Sequence, residues 1–99
     1  MSNPKTKIWV INEKDNVGTV IGDDAAGGAE APIVGGMQGS LKVTGPVPYG
    51  HKVALADLRA GSHVIKYGTA IGRLHADVAK GGHVHTQNLQ SLRGRGDLK

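Results

Sequence analysis

The chain has 99 residues, with 12 Lys and Arg against 8 Asp and Glu, a net charge of +4 and no cysteine. A chain of this length buries a single modest core, which leaves no room for separate catalytic and substrate domains. An enclosed active site would therefore need surface from a second chain. The lack of cysteine excludes disulfides and thiolate metal sites within these 99 residues.

The basic residues are spread along the chain, and the aromatic residues are limited to Trp9, Tyr49 and Tyr67. Base-stacking nucleic-acid modules need a basic face with several exposed aromatic side chains. We therefore expect no nucleic-acid partner. Residues 1–20 contain no long apolar run, which predicts neither a signal peptide nor a membrane span and favours a cytoplasmic protein without a membrane partner.

Short segments rich in Val and Ile recur along the chain, and each is bounded by Gly, Pro, Asp or Asn. This pattern predicts a mostly β domain with at most one or two helical turns. The predicted strands, in chain order, cover residues 7–11, 17–21, 41–44, 51–56, 63–67 and 83–86. Helical turns fit only around residues 54–59 and 74–79.

Two segments stand outside this strand pattern. The stretch GDDAAGGAEAPIVGGMQGS, residues 22–40, consists mostly of glycine and small side chains, which predicts a flexible loop or a wide hairpin. Residues 90–99 are polar and contain glycine, which predicts a flexible tail. We interpret residues 1–99 as one domain that carries this loop and this tail.

An internal repeat organises the second half of the chain. The stretches VPYGHKV (47–53), LRAGSHV (58–64) and VAKGGHV (78–84) share one pattern of apolar, glycine and valine positions. The pattern predicts a turn followed by a strand, in which the glycine adopts a backbone conformation closed to other residues and the valine enters the core. The positions concerned are Gly50, Gly61 and Gly81, and Val53, Val64 and Val84.

The third copy carries two histidines. With Val84 in the core, strand alternation places His83 and His85 on the opposite face, followed by Gln87 if the strand continues. Same-face neighbours stand about 7 Å apart, so the two imidazoles would share a metal ion only if the strand bends. The alternative is an ordinary solvated face. His63 occupies the place of His83 in an earlier copy of the repeat. This indicates that a histidine at this position belongs partly to the repeat structure, and it favours His85 over His83 as the functional residue.

Three motifs follow one another within residues 50–89. They are Gly50-His51-Lys52, Val64-Ile65-Lys66-Tyr67-Gly68, and Gly82-His83-Val84-His85-Thr86 with Asn88-Leu89. These motifs resemble the small N-terminal module of the altronate and galactarate dehydratase family, and DNVGTVI (15–21) resembles the first strand of that module. The segment is also similar to the separate small subunit of two-subunit members such as sulfolactate sulfo-lyase. The resemblance implies a compact β-clip fold of the SAF type, built from short bent strands.

The resemblance implies a small subunit or detached N-terminal module of a sugar-acid dehydratase or related lyase. Its partners would be a large lyase subunit, which completes the site, and a sugar-acid or related hydroxy-acid substrate, so the isolated chain would be inactive. Family members depend on a divalent metal, iron being usual for the dehydratases. A homo-oligomer is also compatible, because exposed strand edges often pair. The alternative is a stand-alone SAF-type module that binds an anionic sugar or assembles with itself, without catalysis.

Dehydration of a hydroxy acid removes a weakly acidic proton beside a carboxylate while hydroxide departs. A metal ion stabilises the developing charge, and a His or Lys side chain transfers protons. On the resemblance, the candidate catalytic residues are His85 and Lys66, and the candidate metal ligands are His83 and His85. The candidate substrate-binding residues are His51, Gln87, Asn88 and Arg73. For Lys66 the alternative role is a solvated lysine at a turn. For His51 the alternative role is a hydrogen bond to a loop carbonyl.

One position departs from the family pattern. The usual ending is His-x-His-x-His-Asn, and the third histidine is replaced here by Gln87. A glutamine can form hydrogen bonds with a substrate, but it is a poor transition-metal ligand and does not transfer protons near neutral pH. We therefore expect an altered metal, substrate or activity if the third histidine is required.

Overall fold

The structure, a computed structural model, describes residues 5–85 and 87–91. These residues form nine β-strands and no α-helix, and therefore no helix that is long and apolar enough to cross a membrane. The mostly β prediction is confirmed. The strands are β1 Lys7–Val10, β2 Val17–Ile21, β3 Glu30–Gly35, β4 Gly39–Lys42, β5 Lys52–Ala54, β6 His63–Lys66, β7 Thr69–Leu74, β8 His83–Val84 and β9 Leu89–Ser91.

The strands form two sheets. A six-stranded sheet has the order β4-β3-β1-β2-β5-β8, and a three-stranded sheet has the order β6-β7-β9. All described pairs are antiparallel except β1 and β3, which run parallel. The inward residues of β1, Ile8 and Val10, are fully buried, whereas Trp9 between them is 44% exposed. The short β8 lies at one edge of the larger sheet, and β4 lies at the other.

The structure differs from the predicted loop over 22–40, because β3 and β4 form an antiparallel hairpin there. The hairpin alternative is therefore the correct one for the second half of this segment. The sequence gives little sign of this hairpin, because few of the hairpin's residues are buried and one of those is only an alanine. Ala31 and Leu41 stand opposite each other and are 1% and 2% exposed.

Two further strands were not expected from the local pattern. β7 pairs with β6 on one side and with β9 on the other. β9 covers the first residues of the predicted flexible tail, and residues 92–99 of that tail lie outside the described residues, as does Thr86 in the last predicted strand. The expectation of at most one or two helical turns also holds, since neither candidate segment is helical: Leu58 and Val78, within those segments, form an isolated antiparallel β-bridge.

The repeat prediction is confirmed, and the structure adds a fourth copy. The φ angles of Gly50, Gly61 and Gly81 are 86°, 89° and 86°, a region that favours glycine. The three valines that follow are fully buried. Gly28, with a φ of 82°, occupies the same place in a copy over residues 25–31, where Ala31 replaces the core valine.

The four copies associate in two pairs through reciprocal backbone bonds. In the first pair, the N–H of Ala25 donates to the Val47 carbonyl at 2.8 Å and the N–H of Val47 donates to the Ala25 carbonyl at 2.9 Å. In the second pair, Leu58 and Val78 exchange the same two bonds, both at 2.8 Å. Each turn is therefore closed by the turn of its partner copy.

The glycine of each turn extends this exchange to the strand that precedes the partner copy. Gly61 donates its N–H to the carbonyl of Leu74, and Gly81 donates to that of Ala54. Two aspartates close the same pair, since Asp57 accepts from the Lys80 N–H and Asp77 from the Ala60 N–H, both at 2.8 Å.

Each pair of turns encloses its own core. The first core contains Ile8, Val10, Val20, Ala25, Ala31, Leu41, Val43, Val47 and Val53, and the second contains Val17, Ala54, Val64, Leu74, Val78 and Val84. The two cores lie on opposite faces of β5, because Val53 belongs to the first and Ala54 to the second. The pairing of β5 with β8 therefore joins the two halves of the chain at the sheet edge.

We expect Gly61→Ala and Gly81→Ala to differ in cost, although both glycines have nearly the same φ. An added Cβ meets nothing within 4 Å at Gly61, so that variant loses about 1 kcal/mol of unfolding free energy through backbone strain alone. At Gly81 the Cβ overlaps the carbonyl oxygen of Lys42, which raises the loss above about 3 kcal/mol. Urea unfolding measures both values, and Gly61→Asn, which tolerates positive φ, is the control. Equal losses at the two positions would contradict this packing.

Candidate functional site

Three histidines meet where β5 pairs with β8. The two strands are antiparallel, with Lys52 opposite Val84. Continuing this register by one residue places His51 opposite His85. His83 shares the face of His85, because alternate residues of a strand point the same way. The register of one short strand pair therefore brings three imidazoles to the sheet edge.

The three rings are stacked nearly parallel, and the His51 ring lies closer to each of the other two than they lie to each other. Its ring centroid lies 3.7 Å from that of His85 and 5.0 Å from that of His83, with interplanar angles of 11° and 14°. His51 Nδ1 lies 2.8 Å from His83 Nε2, and one nitrogen of each ring lies within 4.8 Å of the others. We call His51, His83 and His85 the imidazole cluster.

The bend required by the sequence argument is present. β8 ends at Val84, and the chain turns at His85, which brings the rings of His83 and His85 to 5.8 Å between centroids. Asn88 holds this bend: its Oδ1 accepts from the His85 N–H at 3.0 Å, and its Nδ2 donates to the His83 carbonyl at 2.8 Å. The side chain of Asn88 is therefore committed to the backbone that carries the cluster.

Gln87 contacts the outer side of the cluster. Its Nε2 donates to His83 Nδ1 at 3.1 Å, so Nδ1 of that ring is an acceptor. The same tautomer carries a proton on Nε2 of His83, which donates to His51 Nδ1. Gln87 thus contacts the His83 ring at the nitrogen that faces away from His51. Ligation of a metal ion through His83 Nε2 would require the proton on Nδ1 instead, with the Gln87 amide turned so that its Oε1 accepts that hydrogen bond.

The pKa values of His83 and His85 are both lowered. Burial is the main cause for each ring, followed by the neighbouring His51 ring. The remaining contribution comes from His85 in the case of His83 and from the Lys52 ammonium in the case of His85. Both rings are therefore neutral at pH 7, and the neutral imidazole is the form that binds metal ions.

The donor set fits a divalent transition-metal ion. Three imidazole nitrogens are a common ligand set, and they leave coordination positions open for a substrate. Metal–nitrogen bonds of about 2.0–2.1 Å require the ligand nitrogens to be about 3.3 Å apart in tetrahedral geometry. The nitrogens of the cluster lie within 4.8 Å, so rotation of the three side chains is needed for them to converge on one ion.

The remaining predicted residues lie elsewhere or at the margin. Lys66 ends β6, and its Nζ lies 3.0 Å from the Tyr67 hydroxyl. Arg73 is exposed on β7 opposite His63, in the three-stranded sheet, and the structure does not bring it to the cluster. The sequence suggested for His51 either a substrate contact or a hydrogen bond to a loop carbonyl. Its place in the imidazole cluster was not anticipated, because no local pattern indicates that residue 51 pairs with residue 85.

A groove with a volume of about 510 Å³ lies away from these histidines. It runs along β4 beside the turn at Gly28, and Glu30, Lys42 and Lys80 are among its lining residues. No histidine lines it. The imidazole cluster therefore lies outside this groove, at the β5–β8 edge, which is open to solvent.

We expect the stability of the metal-free chain to fall as the pH drops below about 7. The folded pKa values of His83 and His85 lie below the ordinary value of about 6.5, so the unfolded chain binds more protons between the folded and unfolded values. This contribution is complete above the unfolded pKa and is lost as the pH falls towards the folded pKa. Urea unfolding from pH 7.5 to 5 measures the loss, and a His83→Gln/His85→Gln variant should show a weaker dependence. An unchanged pH profile in that variant would contradict the lowered pKa values.

Comparisons with known proteins agree on one family. The model of the altronate/galactarate dehydratase SAF domain matches residues 6–92. The (2R)-sulfolactate sulfo-lyase subunit alpha of Paracoccus pantotrophus is 49% identical over 53 residues, which cover 54% of this chain and 79% of that one. Its counterpart from Chromohalobacter salexigens is 40% identical over 53 residues, 56% of its length.

The altronate dehydratase of Escherichia coli (strain K12) is 38% identical over 81 residues, which cover 82% of this chain but only 16% of that protein. The chain therefore matches most of one sulfo-lyase subunit, about half of another and a small part of the dehydratase. The family match extends over nearly all of the described residues and includes both turn pairs and the whole imidazole cluster. The chain belongs to the family of altronate/galactarate dehydratase SAF domains.

Proposed function

We propose that the chain is the SAF-type subunit or module of a sugar-acid dehydratase or related lyase, and that its imidazole cluster forms one wall of a site completed by a larger chain. The observation that carries this proposal is the convergence of three imidazole nitrogens within 4.8 Å at an open sheet edge. The name of the Paracoccus relative, a subunit alpha of a lyase, supports a partner chain.

The position of the cluster accounts for the need for a second chain. β8 is an edge strand of two residues, and its outer side has no strand partner in the six-stranded sheet. The three histidines are only half-buried. Water is not excluded from such a surface, and the electrostatic effects that stabilise a charged transition state are weak where water is present. A larger chain that covers this edge would enclose the site.

Within the assembled site, the residues of this chain would bind and position the substrate and transfer protons. A divalent cation held by the imidazole cluster would supply the positive charge that stabilises the developing enediolate. His85 serves either as the third ligand or, where His51 and His83 alone hold the ion, as the neutral imidazole that accepts a proton near neutral pH. The Lys66 ammonium attracts the substrate carboxylate or donates a proton. Gln87 and Asn88 keep the rings of the cluster in place.

We expect the imidazole cluster to bind a divalent ion such as Co²⁺, and each of His51→Ala, His83→Ala and His85→Ala to weaken binding at least about tenfold. Gln87→Leu should weaken it by about tenfold as well, since an outer hydrogen bond orients the ligand. Calorimetry at pH 7.5 gives these affinities.

The control for this series is His75→Ala, because His75 is exposed and outside the cluster. Equal affinity for the divalent ion in all four histidine variants would contradict the metal assignment. Metal-independent binding of a sugar acid, unchanged by His85→Ala, in a chain whose histidine variants also bind metal equally would instead favour a stand-alone binding module.

We expect the isolated chain to leave altronate, galactarate and sulfolactate unchanged, and the complex purified from the native host to turn over one of them. Affinity purification followed by mass spectrometry identifies the larger chain. Complexes that carry His85→Ala should lose activity, whereas those that carry His75→Ala should keep it. Turnover by the chain alone, or a complex without a lyase-like chain, would contradict the division of labour.

A further inference from the structure

A row of residues crosses the face of the six-stranded sheet opposite the imidazole cluster. Trp9 stands opposite Thr19, Thr19 opposite Lys52, and Lys52 opposite Val84. Residues directly opposite each other on neighbouring strands point to the same face. The Lys52 ammonium therefore emerges on this face, between the buried Val84 and the Thr19 side chain.

Strand β6 carries a second ammonium over the same face. Val64 of β6 packs in one core with Ala54 and Val84, so its side chain points at the sheet. Lys66, two residues further along β6, points the same way. The strand is held in place by Asn16, whose N–H donates to the Ile65 carbonyl and whose Oδ1 accepts from the Ile65 N–H at 2.7 Å.

The two ammonium groups emerge over the same face of the larger sheet, Lys52 from β5 and Lys66 from β6. Both lysines are only half-exposed. Two like charges held together on a partly buried surface are unfavourable, and a bound anion removes the repulsion.

Tyr67 holds Lys66 at the cost of backbone strain. The Lys66 Nζ lies 4.4 Å above the centre of the Tyr67 ring and 3.0 Å from its hydroxyl. Tyr67 has a φ of 58°, the only positive φ among the described residues other than glycine. A tyrosine is unfavourable there, where Asn or Gly fits the two-residue turn with Gly68. The contact with the Lys66 ammonium explains why a tyrosine occupies this position.

We infer that Lys52 and Lys66, with Tyr67 as a positioning residue, form a subsite for the carboxylate or sulfonate group of a small-molecule ligand. The subsite lies on the opposite face of the same strand pair that carries the imidazole cluster, since Lys52 directly follows His51 and stands opposite Val84, which precedes His85. The identification of this group with the acid group of a lyase substrate rests on the proposed function. The binding of the anion itself does not.

The Thr19 side chain supports this assignment. Its Oγ1 is buried and has no hydrogen-bond partner among the described residues, although it stands opposite Lys52. Buried hydroxyl groups normally have a partner. An oxyanion that displaces the side chains covering this hydroxyl accepts such a bond, so Thr19→Val, which keeps the shape and removes the hydroxyl, should weaken anion binding severalfold without loss of stability.

The test measures binding of sulfate and of malonate to the 99-residue chain without metal, at constant ionic strength, by NMR shift titration and calorimetry. Lys52→Met and Lys66→Met should each weaken binding about tenfold, because one charged hydrogen bond is removed. Lys42→Met, on the opposite edge strand β4, is the control and should bind as the parent does. Equal weakening in all three variants, or no saturable binding by the parent, would overturn the subsite in favour of general charge attraction.

Tyr67→Asn separates the role of Tyr67 from that of its turn. The variant should fold at least as stably as the parent, because Asn-Gly suits this turn, yet bind sulfate severalfold more weakly. Tyr67→Phe keeps the ring beneath the ammonium and should retain most of the affinity. Parental affinity in Tyr67→Asn would remove Tyr67 from the subsite.

The two proposals fail separately. His85→Ala without metal should leave sulfate binding intact, and Lys66→Met should leave metal affinity intact. Unchanged metal affinity in the histidine variants would contradict the lyase proposal alone, whereas unchanged sulfate binding in the lysine variants would contradict the anion subsite alone.

Discussion

The reciprocal hydrogen bonds between paired turns are the constraint on which the rest of the structure depends. Each turn donates from its glycine N–H and from the bridge residue before it, and the partner turn returns the same bonds, as Leu58 and Val78 do at 2.8 Å. These bonds stabilise a fold that would otherwise be weak for two reasons. Strands of two to six residues do not hold a register alone, and 16 glycines raise the conformational entropy of the unfolded state. Glycines at positive φ allow the turns to approach, and the residue three positions later is then directed into a core.

The imidazole cluster is a consequence of this arrangement. The turn that ends at Gly81 fixes where β8 begins, and β8 is too short to shift against β5 without losing both of its pairs. A slip of one residue would move every side chain to the other face and separate His51 from His85. Asn88 then closes the bend after Val84 through three hydrogen bonds. The geometry of the site is therefore set by backbone pairing, and the histidines need only occupy the positions that this pairing presents.

Alternation at the β5–β8 edge places two chemically different surfaces on opposite faces of one strand pair. One face carries neutral imidazoles with lowered pKa values, and the other carries the Lys52 ammonium beneath Lys66. A hydroxy acid requires both kinds of group, one for the carbon that loses its substituent and one for the acid group that anchors the molecule. A larger chain that covers this edge would contact both surfaces at once, which is consistent with a small module that contributes side chains to a site that it does not enclose by itself.

The sequence alone determined the features that depend on near neighbours. Short Val-rich segments specified most strands, turn glycines and core valines such as Gly81 and Val84 followed from the repeat, and period-two alternation placed His83 and His85 on one face. The family resemblance followed from these same local motifs. Tertiary structure alone decided which strands pair. It revealed the fourth copy, whose core position is an alanine, and it placed His51 against His85 across 34 residues of chain. It also placed Gln87 behind the ring of His83. Contacts of this kind form between strands distant in sequence, and local periodicity carries no information about which of several similar short strands will become neighbours.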